Sequence, residues 1–359
     1  MDIYFLRFYV QDVRDWHTWF VDHLCCRVIA EINDEDQLTV VLLRQGVLIL
    51  LTSPRAETSA AAQHLNHHPP GVADVGFRVN NLDTFIERTI AAGIKPLTAI
   101  QTETYPTGAW RWCQLPGWGT RHTLLECQGQ TPLLPGLTFT EALTPAAIAD
   151  LPSIDHVVLN VEAGDLSDAI AWYESTLGFQ RKQRFTIDTL HSGLASQVLW
   201  HPAGTAQIPI NQPTSANSQI QEFLDCNRGP GVQHAALATP DIVAELKLLR
   251  SRHLTFLTVP STYYEQVKQR PGFQPNALDW AAIAEQQILV DWPPEQPQAR
   301  LLQTFTQPIF NQPTFFFEII ERKQYDQDNR IQVAQGFGEG NFQALFEAME
   351  REQEKRGSL

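Results

Sequence analysis

The chain has 359 residues, a formal charge of −14 and a sequence pI near 5.2. That balance excludes broad binding to nucleic acid or to an anionic membrane surface, which needs concentrated Lys and Arg, and the length admits two domains with ample core. Cys25, Cys26, Cys113, Cys127 and Cys226 are odd in number and contain no CxxC pair, so they point to reduced, cytosolic thiols and not to a zinc ribbon or a disulfide framework.

The start, MDIYFLRFYVQDV, has no basic n-region and no long apolar core, so neither an export leader nor a membrane anchor is expected. LRFYVQDVRDWHTWFVDHLCC reads as a strand followed by a helix, and VVLLRQGVLILLT is broken at Arg44, Gln45 and Gly46 as a hairpin would be. From Gly71, GVADVGFRVNNLDTFIERTIAAGI reads as strand, turn and helix. LPGLTFTEALTPAAIADLPS has repeated Pro and no clear period, which predicts a first domain over 1–135, a linker over 136–152 and a second domain over 153–359.

The second domain opens with the same pattern. IDHVVLNVEAGDLSDAIAWYESTLGF is strand then helix, with Asp165 the expected N-cap and Gly178 the terminator. GVQHAALATPDIVAELKLLRSRHL, from Gly231, matches the segment from Gly71 without gaps. RLLQTFTQP and TFFFEIIER suit an antiparallel pair. GFGEG follows the polar stretch QYDQDNRIQVAQ and is read as a bend, not a phosphate loop. In the final amphipathic segment, FQALFEAMEREQEKR, Phe342, Leu345, Phe346 and Met349 share a face; Asn341 is its expected cap, and its role is either plain packing or a lid over the site. The repeats imply about four units, each of one strand, one helix and several more strands.

His156, His234 and Glu318 each sit inside an apolar, strand-like run, where an unpaired ionisable group is costly. One such histidine is more often a satisfied core residue. Two imidazoles and a carboxylate together make the facial triad of non-haem Fe(II) oxygenases, which leaves three positions open. In the register of the repeat their counterparts are Phe8, Asp74 and Glu126, so the first half is expected to be metal-free and kept for packing or assembly. Alternation places Phe316, Glu318 and Ile320 on one face, Leu301, Gln303 and Phe305 on another, and Ser196 with Val198 on a third. Phe315 and Phe317 read as sheet core.

The motifs IDHVVLNV, PINQP, SQIQEFLD, GPGVQHAALATPDI, STYYEQV, ILVDW, LLQTFTQPIF, FFFEIIER and GFGEGNFQALFEAMEREQ, in this order, resemble the 4-hydroxyphenylpyruvate dioxygenases. The resemblance is close across the second half and loose across the first. It implies an α+β, vicinal-oxygen-chelate fold: two tandem domains of paired βαβββ modules forming open barrels, with a C-terminal helix over the active site. It also implies one Fe(II) per chain on His156, His234 and Glu318. Ser196, Asn211, Gln219 and Gln303 would be the polar groups that orient substrate. Phe305, Phe316, Phe337 and Phe342 would line the aromatic slot beside Val198 and Asn341, and Gln233 would also touch substrate, although simple alternation turns it to the opposite strand face.

The implied reaction takes an aromatic 2-oxo acid, 4-hydroxyphenylpyruvate, and O2 to homogentisate and CO2, in a cytoplasmic homo-oligomer (dimer or tetramer). The chain departs from the family pattern at Ala235, at Glu321 and in the polar insert before GFGEG. Four other readings compete: a 4-hydroxymandelate synthase, an extradiol dioxygenase, a zinc or nickel isomerase, and a ligand-binding module of the same fold that does no chemistry.

Overall fold

A computed structural model describes residues 1–138, 143–149, 151–188 and 192–357; residues 139–142 and 150 of the expected linker, and the side chains of Leu345 and Phe346, lie outside the described residues. One eight-stranded sheet is built from β1 (Asp2–Tyr9), β2 (Arg27–Asn33), β3 (Gln37–Arg44), β4 (Val47–Pro54), β5 (Gly71–Val79), β6 (Gln101–Tyr105), β7 (Gly108–Pro116) and β8 (Arg121–Gly129), in the order β2-β3-β4-β1-β5-β8-β7-β6. A second repeats it with β9 (Ile154–Asn160), β10 (Gln180–Asp188), β11 (Gly193–Trp200), β12 (Gln207–Pro213), β13 (Gly231–Ala238), β14 (Leu289–Asp291), β15 (Leu301–Phe305) and β16 (Phe316–Arg322), in the order β10-β11-β12-β9-β13-β16-β15-β14. The hairpin of β17 (Gln324–Gln327) and β18 (Arg330–Val333) is the polar insert, turned by Asp328 and Asn329 at positive φ.

In each sheet the opening strands of two modules pair antiparallel at the centre, and each runs parallel to the last strand of its own module. Parallel pairing needs a crossover. It is supplied by α1 (Val13–Asp22) and, after the short connecting α2 (Ala60–His67), by α3 (Leu82–Ala91) in the first half. In the second half α4 (Leu166–Trp172), α5 (Gln219–Asn227) and α6 (Ile242–Ser251) repeat them, followed by α7 (Ser261–Val267), α8 (Trp280–Glu285) and the terminal α9 (Glu339–Arg356). Four βαβββ modules result, as the repeats predict.

Two expected caps are corrected. Asp165 stands at the N-cap position of α4 but makes no capping bond: its backbone is helical (φ −84°, ψ −9°) rather than extended, and Gln212 Oε1 accepts from the Gly164 and Leu166 amides. Asn341 lies inside α9, whose N-cap is Gly338 at φ +80°. Gly178, at φ +76°, closes the α4 segment as expected.

The outer faces and helices share one apolar core that runs through both halves, where Phe8 meets Phe315 edge-on at 5.0 Å between ring centroids. Phe315 and Phe317 belong to it, as the sequence predicts. A second core fills the curl of the first sheet with Phe5, Val41, Leu50, Trp110 and Leu125, closed by Leu133 and Leu134. Tyr4 Oη donates to Leu133 O (2.6 Å) and Trp110 Nε1 to Pro132 O (2.9 Å), strapping that segment across the opening. The halves are joined by the buried Arg44–Glu245 ion pair and by a bond between His122 Nε2 and Tyr173 Oη (2.8 Å).

Strand register corrects two of the three counterparts. Gly76 and Ala236 occupy equivalent places; Gly76 pairs with Phe5 and Thr123, and Ala236 with His156 and Glu318. The counterparts of His156 and Glu318 are therefore Phe5 and Thr123, not Phe8 and Glu126, whereas Asp74 does correspond to His234. Glu126 corresponds instead to Glu321, and the two do the same work: each accepts from the first amide of a helix, Leu82 in one half and Ile242 in the other.

Candidate metal centre

β9, β13 and β16 are neighbours in the second sheet. Ala236 lies in register between His156 on one side and Glu318 on the other, so both side chains project from the same face on either side of a methyl group. His234 enters two residues earlier on the same strand. One ligand atom from each of the three residues falls within 4.8 Å of the others. His156 Nε2 is 3.3 Å and His234 Nε2 3.6 Å from Glu318 Oε2. All three residues are buried. This donor set, two imidazole nitrogens and one carboxylate oxygen converging on one point, fits a divalent transition metal.

A bulge shapes β13. Val232 pairs with Leu159 and His234 with Val158, which leaves Gln233 opposite no residue. The extra residue breaks the alternation, so Gln233 and His234 both reach the interior, contrary to the expected opposite facing. A second bulge in β9 leaves Asp155 unpaired beside His156.

The charges are matched to the ligands. Burial opposes a proton on His156, but Glu318 and Asp155 outweigh it and hold the imidazole up at about 9 in the absence of a cation. Burial likewise works against a charged Glu318, but His156 and then His234 bring it down to about 2, so the carboxylate is ionised. His234 is lowered by burial, only partly offset by Glu318. The orienting partners are specific: Asp155 Oδ1 lies 2.8 Å from His156 Nδ1, and Gln303 Nε2 donates to Glu318 Oε1 at 2.9 Å, leaving Oε2 to face the imidazoles. Phe316 stacks on His234, with centroids 4.7 Å apart and planes at 18°.

A cavity opens beside the triad. Asn211, Gln219, Gln233 and Gln303 supply its polar wall, and Phe305, Phe316, Phe337 and Phe342 its aromatic one. Three residues expected there are not on the wall. Ser196 is flanked in register by Phe185 and Asn211, longer side chains that cover its hydroxyl. Val198, paired with Pro209 on the next strand, is fully buried. Asn341 is turned away, donating to Gln303 Oε1 (3.1 Å) and accepting from Tyr263 Oη (2.7 Å).

Sequence reasoning missed the apolar wall residues Val158, Phe185, Ile187, Leu194 and Met349, although strand alternation on β10 and β11 could have found three of them. It also missed Asp155 and Arg322, whose signal was a carboxylate next to one ligand and an arginine four residues after another. Glu321 and Ala235, where the chain departs from the family pattern, sit outside the cavity.

A family model described as the Glyoxalase/Bleomycin resistance protein/Dioxygenase superfamily matches residues 153–270. An uncharacterised protein of Synechocystis sp. is 33% identical over 98% of this chain and 97% of its own length. The 4-hydroxyphenylpyruvate dioxygenase of Caenorhabditis briggsae is 37% identical over 84% of this chain and 78% of its own. Among solved structures, a mutant of 4-hydroxymandelate synthase from Streptomyces coelicolor superposes with a TM-score of 0.81 at 25% identity, covering 98% of both chains.

Proposed function

This chain belongs to the 4-hydroxyphenylpyruvate dioxygenase family, and from that premise we propose that it is an Fe(II) enzyme converting 4-hydroxyphenylpyruvate and O2 to homogentisate and CO2. The observation that carries the reading is the convergence of His156, His234 and Glu318 at the end of a cavity walled by phenyl rings and neutral amides. Iron held there would supply the chelation of a 2-oxo acid and the redox chemistry of O2.

The protein's own groups do the rest. Asp155 fixes His156 with its Nε2 toward the metal position, and Gln303 fixes the Glu318 carboxylate. Phe316, stacked on His234, limits rotation of that imidazole. Asn211, Gln219 and Gln233 offer neutral amide donors and acceptors that can hold a phenol without competing for the cation as a further carboxylate would. Phe337 packs edge-on against His156 with centroids 5.1 Å apart, and Phe342 stacks on Phe185 with centroids 4.4 Å apart. The enclosure keeps water from the reacting groups.

The structural likeness to a 4-hydroxymandelate synthase favours a second reading, in which the same substrate is oxidised at its benzylic carbon. Product analysis by mass spectrometry after aerobic incubation with Fe(II) and 4-hydroxyphenylpyruvate decides: homogentisate is expected, and hydroxymandelate would move the chain to the sister activity. The reading extends to a cytoplasmic location, supported by five free cysteines, and to the homo-oligomer that the family resemblance implies. Among the described residues no helix is long and apolar enough to cross a membrane.

A further inference from the structure

We propose that Arg322 is a positioning residue that ties the ligand His156 to the chain entering α9, so that metal binding and the seating of the terminal helix reinforce each other. This rests on the reading that His156, His234 and Glu318 hold a divalent metal.

The guanidinium of Arg322 is used on two sides. Nε and Nη2 each donate to a different oxygen of Asp155, both at 2.7 Å, and Asp155 Oδ1 in turn lies 2.8 Å from His156 Nδ1. The remaining nitrogen, Nη1, donates to Gly336 O (2.9 Å) and Ala334 O (3.2 Å), in the stretch between β18 and α9. A bidentate fork holds the carboxylate in one orientation, and the carboxylate holds the imidazole with Nε2 free for a cation. Any shift of residues 334–336 therefore reaches His156 through two rigid links.

A separate path starts from the other end of the triad. Gln303 Nε2 donates to Glu318 Oε1 and also to Phe337 O (3.1 Å), while its Oε1 accepts from Asn341 in the first turn of α9. The backbone at Gly338 lies so close that a Cβ there would collide with Gln303 Oε1. Two metal ligands thus lean on the same short segment.

Among the described residues the first half shows no such link: by register, Asp155 is replaced by Tyr4, which holds Leu133, and Arg322 by Cys127. Because coupling between two sites is reciprocal, a cation on the triad must steady α9 by the same factor by which a seated α9 tightens cation binding.

The test uses Co(II), a redox-stable stand-in for iron, on the full chain. Hydrogen exchange of the backbone amides of residues 334–356 should slow several-fold when Co(II) is added to the wild type. Arg322→Ala should weaken Co(II) binding by about 10- to 100-fold, as loss of an outer-shell partner does, and should cut that slowing to the part carried by Gln303. Arg322→Lys, which keeps the charge but not the fork, should restore at most part of it. Tight Co(II) binding with unchanged exchange in the wild type overturns the proposal, and needs no variant to fold. Affinity of the folded Arg322→Ala chain within twofold of wild type overturns it as well. Failure of the wild type to bind Co(II) at all overturns the metal reading and this inference with it.

Discussion

The two halves share strand order, register and even the position of their bulges, yet one curl is packed solid and the other is hollow. In the first, Phe5 stands where His156 stands in the second, and the glycine opposite it, Gly76, leaves room for its ring. Asp74, the counterpart of His234, is buried and turned onto Thr123, accepting from its amide (2.9 Å) and its hydroxyl (2.5 Å). Trp110 and the Leu133–Leu134 segment then fill what is left. The second half exchanges these for two imidazoles, a carboxylate and a helix, α9, that lends Phe342 and Met349 to the cavity wall. One scaffold therefore serves as a structural block or as a reaction chamber, and three side chains decide which.

That contrast can be broken most directly at His234. His234→Ala should leave a folded chain with no stoichiometric iron and no measurable turnover; metal analysis showing wild-type iron would remove the chemistry from the second half. Trp110→Ala should do the reverse, costing about 3–5 kcal/mol of stability in denaturant melts, as truncation of a buried aromatic does, with iron per folded chain unchanged. A parallel loss of iron in that variant would mean the halves are not separable.

A smaller effect is expected from pH. Burial lowers His122, at the junction of the halves, to about 4 from its usual 6.5. Between those two pH values the unfolded chain takes up a proton that the folded chain does not, so stability is full above about pH 6.5 and declines as pH falls. The loss should be roughly 2 kcal/mol at pH 5, at about 1.4 kcal/mol per unit. His122→Phe should flatten that slope in urea melts at pH 7 and pH 5. The smallest effect belongs to Asp74→Ala: iron content should not change, and a halved content would reverse the assignment of a metal-free first half.

Much of this was legible in the sequence. Three ionisable residues in apolar strands announced the triad because burial of such groups demands a partner, and the ungapped match between Gly71 and Gly231 announced the duplication. Counting along a strand assumes strict alternation, and the bulge at Gln233 defeats it, which puts Gln233 on the wrong face. Asn341 was read as a cap because a short amide before an apolar run usually is one. Here the helix begins two residues earlier, and the amide is held by Gln303 and Tyr263, residues far away in sequence whose proximity only the fold creates.

The bulge in β13 carries one more lesson. A single surplus residue brings Gln233 and His234 into the same chamber. Deleting Gln233 would let Val232 and His234 pair in unbroken register with Leu159 and Val158, so the imidazole would keep its place and the chamber would lose only an amide.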